Sequence, residues 1–204
     1  MARPREFDED YVLEQALHVF WDRGYEAASL AELQEATGLT KSSLYKAFES
    51  KEGLFRYALD RYHRNHLAFR EVALLQPTPW LIAESLLYGI VNLHTGRNTP
   101  PGCLVTLSAL ACSPDARLLS EELAESRNQF ERLLRERFVA VEEAGPLPPG
   151  MSGQEAAAFI STLIQGLAVQ AKSGASRRQL RQIVAAVLAG WPAEFPGKRK
   201  RKTA

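Results

Sequence analysis

Residues 29–55, SLAELQEATGLTKSSLYKAFESKEGLF, constrain the fold more than any other stretch. Ser29 with Glu32 three places on is a capping box, so a helix starts at Leu30. Leu30, Leu33 and Ala36 are its apolar members, and Gly38 marks a turn that needs a positive φ. Thr40 caps a second helix running to about Phe48, with Leu44, Ala47 and Phe48 inward. Ser50 caps a third helix that starts at Lys51. Two short helices across a tight turn form a helix-turn-helix. The outer side of the second helix bears Lys41, Ser42, Ser43, Tyr45 and Lys46, residue types that contact phosphates and base edges of duplex DNA.

Charge qualifies that expectation. The 204-residue chain has a net charge of +1, and residues 1–51 hold six Lys/Arg against ten Asp/Glu. No basic field covers the motif, so DNA contact has to come from a few placed cations. Arg3 and Arg5 on the N-terminal arm and the tail Lys198–Lys202 are further candidates for backbone contact.

The rest of the chain reads as helices. Residues 8–23 give an apolar stripe of Leu13, Ala16, Leu17 and Phe20, with Asp8 as N-cap and Gly24 as stop. A long helix follows Ser50 with Leu54, Phe55, Ala58, Leu59 and Tyr62 inward, and Pro77-Thr78-Pro79 ends that segment. Further helices are predicted over 80–93, 103–111, 114–143, 154–173 and 177–190, with loops at 95–102 and 145–153. No segment alternates with period two. The fold class is all-α with about nine helices: a helix-turn-helix domain at 1–50, a helical ligand-binding and dimerisation domain at 51–192, and a basic tail at 193–204.

Several classes are excluded or weakened by composition. Two cysteines, Cys103 and Cys112, supply neither a disulfide framework nor a zinc site. No apolar run reaches the length of a membrane span, and no apolar signal core opens the chain, so a cytoplasmic protein is expected without membrane partners. His63 and His66 stand i, i+3 on one helix without a third ligand, which predicts a solvated face and no metal. No phosphate-binding glycine loop, G-x-S-x-G or H-E-x-x-H is present. No cofactor is expected.

Taken together, Gly24-Tyr25, Ser29-Leu30, Ala36-Thr37-Gly38-Leu39-Thr40-Lys41, Ser43-Leu44-Tyr45, Phe48, Ser50-Lys51 and Leu54-Phe55 resemble the TetR family of bacterial transcriptional regulators over roughly residues 8–55. The resemblance implies a non-enzymatic regulator, most often a repressor, that binds a palindromic operator as a homodimer and is released by a small-molecule effector. It places the third helix in the major groove. Lys41, Ser42 and Lys46 then face bases, while Ser29, Thr40, Ser43, Tyr45 and Lys51 contact phosphates. The apolar pairs of the last two helices (Phe159, Ile160, Leu163, Ile164, Leu167, Leu180, Val184, Val187) are candidates for a four-helix interface between two copies. Phe69, Trp80, Tyr88, Leu107 and Phe130 are candidates for an effector pocket. Cys103, after Pro100-Pro101-Gly102 and at a helix start, is a candidate sensor of electrophiles or oxidants, with a core thiol as its other reading. Two rival classes remain: an all-α enzyme using Cys103, and a helical adaptor with no DNA role.

Overall fold

The computed structural model describes residues 7–110, 113 and 116–192. The basic tail, Arg3, Arg5 and Cys112 lie outside the described residues. Those described form ten α-helices and no strand. They are α1 Glu9–Ala27, α2 Leu30–Thr37, α3 Lys41–Phe48, α4 Lys51–His66, α5 Phe69–Leu74, α6 Pro79–His94, α7 Leu104–Leu110, α8 Arg117–Val141, α9 Gly153–Lys172 and α10 Arg177–Ala189.

Contacts divide the chain into two units. The first joins residues 1–68 to residues 93–127, so α7 belongs with the N-terminal helices. The second joins residues 69–92 to residues 128–204.

In the first unit, α1 is the central element. Its stripe Val12, Leu13, Ala16, Leu17, Phe20 and Trp21 is buried, as are Leu54, Phe55, Ala58 and Tyr62 of α4. The two helices meet through aromatic edges, Phe20 on Phe55 at 5.1 Å and Trp21 on Tyr62 at 4.6 Å between ring centroids. The Trp21 indole N–H donates to the Gly102 carbonyl at 2.7 Å, which fixes the entry to α7 against α1. Gly24, at φ 79°, breaks the helical path of α1 where the stop is expected.

The long helix expected after Ser50 ends earlier than Pro77. Leu67 caps α4 at His66 with its N–H on the Tyr62 carbonyl, and a separate short helix, α5, follows. Leu67 is buried, so closing the turn gains apolar contact without a glycine or proline to announce it. Arg137 of α8 then donates to the Leu74 and Gln76 carbonyls, satisfying acceptors at the end of α5.

The second unit is a core of Ile82, Leu86 and Ile90 from α6, Leu134 and Phe138 from α8, Ile160, Ile164 and Leu167 from α9, and Leu180, Val184 and Leu188 from α10. Trp191 closes it after α10, its indole N–H donating to the Pro146 carbonyl at 2.8 Å.

Gly53 is required for a steric reason. A Cβ there would overlap the Phe48 carbonyl oxygen in the tight passage from α3 to α4. Gly53→Ala should therefore lower unfolding free energy by about 1–3 kcal/mol in chemical denaturation, the usual cost of overpacking.

His66 supplies a pH effect. It lies 4.8 Å from the Trp21 ring and stacks on Tyr62, and His63 approaches Ser126 Oγ at 3.4 Å. Both histidines are partly covered, so the solvated face expected for them is replaced by packing. Burial pushes the His66 pKa down, opposed by Glu14 and reinforced by His18 and Arg61. A depressed imidazole pKa means that the unfolded chain takes up the proton first. Stability should fall as pH drops below about 6.5. His66→Phe should flatten the dependence of melting temperature between pH 7 and pH 5.5.

Candidate nucleic-acid interface

Three local devices shape the segment 29–55. Ser29 accepts the Glu32 N–H at 3.1 Å, and Glu32 accepts the Ser29 N–H at 2.9 Å, so the capping box is closed on both sides. Gly38 adopts φ 71° and donates to the Gln34 carbonyl, ending α2 in a left-handed turn. Buried Thr37 braces that turn, donating to the Leu33 carbonyl at 2.6 Å and accepting the Leu39 N–H at 3.3 Å. Thr40 caps α3 by accepting the Ser43 N–H, and its hydroxyl also meets those of Ser42 and Ser43 at 2.9 and 3.1 Å.

Two faces of α3 result. Leu44 and Phe48 are buried, while Thr40, Lys41, Ser42 and Lys46 are exposed. Ser43 and Tyr45 are partly covered between them. The Lys41 ammonium lies 5.5 Å from the Tyr45 ring centre. No hydrogen bond or ion pair to another part of the chain ties Lys41 or Lys46 among the described residues. α3 ends at Glu49, whose φ of 67° is rare for a side chain other than glycine or asparagine.

Lys51 stands differently. It is partly buried, its ammonium donates to the Glu26 carbonyl at 3.2 Å and lies 4.7 Å from the Tyr25 ring centre. Burial pushes its pKa down, and Glu26 and Glu32 pull it back up. Its side chain therefore neutralises the carbonyl end of α1. The side chain of Glu26 is engaged as well. Its carboxylate accepts the Ser113 N–H at 2.8 Å, and hydrogen bonds from Ser113 hold its pKa below the usual carboxylate value. Tyr25, Glu26 and Thr37 were not singled out for this role by sequence. The aromatic next to Gly24 was the one available signal.

Several acids of this unit are engaged. Arg61 bonds Glu14 at 2.6 Å and Asp10 at 2.7 Å, and Arg56 bonds Glu122 through both Nε and Nη2 and also meets Glu52. Arg23 lies 3.1 Å from Glu32. Burial raises the Glu14 pKa, but the hydrogen bond and charge of Arg61, with His66 and His18, outweigh it and hold the carboxyl low.

The remaining candidates separate by unit. Phe69, Trp80, Tyr88 and Phe130 pack on the core of the second unit, and Cys103 and Leu107 belong to the first. Phe69 lies on Gly89, leaving no room for a side chain there. Arg70 covers Phe130 at 4.3 Å. The Trp80 Nε1 is buried without a hydrogen-bond partner. Cys103 is 3% exposed, and its sulfur accepts the Tyr62 hydroxyl at 3.6 Å. This is the environment of a core thiol.

The proposed interface residues also prove to be largely internal. Ile160, Ile164, Leu167, Leu180 and Val184 are covered by their own chain, and Phe159, Leu163 and Val187 pack against the same core. Phe159, Leu163 and Val187 keep part of their surface exposed. The outer side of α9 and α10 is made instead of Ala158, Thr162, Gly166, Val169, Gln182, Ala186 and Ala189.

Comparison with known proteins agrees with the geometry. The pattern of bacterial regulatory proteins of the tetR family matches residues 12–58, which run from within α1 through the first half of α4. The HTH-type transcriptional repressor ComR of Escherichia coli K12 is 36% identical over 193 residues, covering 94% of this chain and 92% of ComR. The HTH-type transcriptional repressor BdcR of the same organism is 26% identical over 184 residues, covering 88% of this chain and 86% of BdcR. Among solved structures, a cysteine mutant of the TetR family regulator CifR, complexed with 26-bp double-strand operator DNA, superposes with a TM-score of 0.86. It is 41% identical, and the match covers 93% of this chain and all of that one. The resemblance thus extends through α9 and α10, well beyond the helix-turn-helix, and the chain belongs to the TetR family of DNA-binding bacterial transcriptional regulators.

Proposed function

We propose that this chain is a dimeric repressor that reads a palindromic operator with α3 and leaves it when a small molecule binds the second unit. The observation that carries this reading is the division of α3. Leu44 and Phe48 anchor it, and Lys41, Ser42 and Lys46 are left exposed with Thr40 at its N-cap. An eight-residue helix with that outer face fits a major groove, where lysine donates to guanine O6 and N7 and serine donates or accepts. The operator complex of CifR supports the same use of this fold.

Ser43, Tyr45 and the backbone N–H groups at the start of α4 set register on phosphates. Ser29 and Thr40 serve first as caps, since their hydroxyls are already engaged. One head covers one half-site, so two copies are required for a palindrome. The outer faces of α9 and α10 are the proposed contact. Their small side chains let helices approach closely, and exposed Val169 and Ile183 add apolar area. This replaces the larger apolar residues, which the subunit keeps for itself.

The effector is proposed to lie near Trp80 in the second unit. Its buried indole N–H lacks an acceptor, and a ligand oxygen there would remove that penalty. Binding that favours the state not held by DNA lowers operator affinity by linkage. Cys103 is left out of this proposal, because its burial and its bond to Tyr62 suit packing rather than attack on an electrophile. The protein acts in the cytoplasm, where the operator is.

A mobility shift with DNA upstream of its own gene tests the reading. A discrete complex at low salt that competitor DNA does not remove is expected, and no shift would overturn it. Lys46→Ala should alter preference among operator variants, by about 1–3 kcal/mol at one base position. Lys51→Met should weaken binding to all sequences alike and lower the melting temperature, because its ammonium also holds the end of α1. Val169→Glu should yield monomers in sedimentation and abolish cooperative binding to a palindrome.

A further inference from the structure

The sequence holds no Asp or Glu between Glu155 and Glu194, yet Lys172, Arg177, Arg178 and Arg181 fall in that interval. Arg177 and Arg178 open α10, and Arg181 lies one turn on. This arrangement opposes two local rules. Cations sit at the positive end of a helix. Arg177 with Arg181 and Arg178 with Arg181 are like-charged neighbours at i+4 and i+3. The capping box of α10 uses neutral Gln179, where those of α2 and α9 use Glu32 and Glu155.

Two contacts hold guanidinium groups of the cluster in place. Arg177 donates to the Asn92 carbonyl at 3.4 Å, in the last turn of α6. The Arg181 guanidinium carbon lies over the Tyr88 ring, 4.5 Å from its centre. Neither Arg178 nor Arg181 pairs with a carboxylate among the described residues. The three guanidinium groups, Tyr88, Gln182 and Ala185 line an open cleft of about 600 Å³. The stack on Tyr88 and the bond to Asn92 hold two of the forks in place, which reduces the ordering cost of a bound anion. Local rules broken together at one place mark a functional site more often than a structural one.

We infer that this cleft is a binding site for a compact oxyanion, a phosphoryl or polycarboxylate group, held by Arg177, Arg178 and Arg181 at the start of α10. Guanidinium forks match both chemistries bidentately, and the N-terminal end of α10 adds a favourable field. Gln182 supplies a neutral amide on the same side. The site is separate from α3, so it stands whether or not the DNA reading holds.

Calorimetric titration of the full chain with citrate, and separately with inorganic phosphate, tests it at ionic strength fixed with sodium chloride. Saturable binding of one or both anions is expected, and the stronger of the two names the chemistry. Arg178→Gln with Arg181→Gln should weaken it by at least about tenfold, from the loss of charge-assisted hydrogen bonds. The melting temperature of the free variant should equal or exceed that of the parent, since repulsion is relieved. No saturable binding of either anion, or equal binding by the variant, overturns the inference. So does a variant that sediments as a monomer where the parent is a dimer, because the arginines would then serve a second copy of the chain.

Discussion

The edge-to-face packing of α1 on α4 is the interaction on which the DNA-reading end depends. α2 and α3 are eight residues each, too short to persist alone. Each contributes very little core, Leu33 and Thr37 from one and Leu44 and Phe48 from the other. Their orientation is therefore inherited from the pair that supports them. Phe20, Trp21, Phe55 and Tyr62 supply that support, all essentially inaccessible to solvent. Trp21 extends it to α7 through the Gly102 carbonyl, so the same aromatic surface holds elements more than eighty residues apart in the chain.

Charge is managed by pairing rather than by excess. The N-terminal region is acidic, and a lysine facing DNA would be screened by loose carboxylates nearby. Arg56 and Arg61 of α4 and Arg23 of α1 bind Glu122, Glu52, Glu14, Asp10 and Glu32. Each exposed pair adds little stability, because solvent screens it. Their effect is local: arginines pair those carboxylates, and neither Lys41 nor Lys46 pairs with one among the described residues. Net charge was thus a poor guide to this surface, and placement was the informative quantity.

The helix-turn-helix was legible because its signals are local. Ser29 with Glu32, Gly38 and Thr40 each act within four residues, and the structure uses each as its spacing implies. All-helical architecture was legible for the same reason. The break after His66 was not, since it follows from burial of Leu67, a tertiary effect. Periodicity leaves one question open in α9. It shows which face is apolar, and it cannot show whether that face meets its own subunit or another. Ile160, Ile164 and Leu167 are buried within their own chain. Lys51 was legible as a cation at a helix start, but its attachment to Glu26 depends on an approach of α4 to α1 across twenty-five residues.

Glu26 joins two attachments made from different atoms of one residue. Its carbonyl holds Lys51 at the head of α4, and its carboxylate holds the backbone at Ser113. Between those atoms there are only a few covalent bonds. The chain at Ser113 and the start of α4 are thus tied to one and the same residue in the last turn of α1. The distance from that segment to the helix next to the recognition helix is then one residue, however many separate them in sequence.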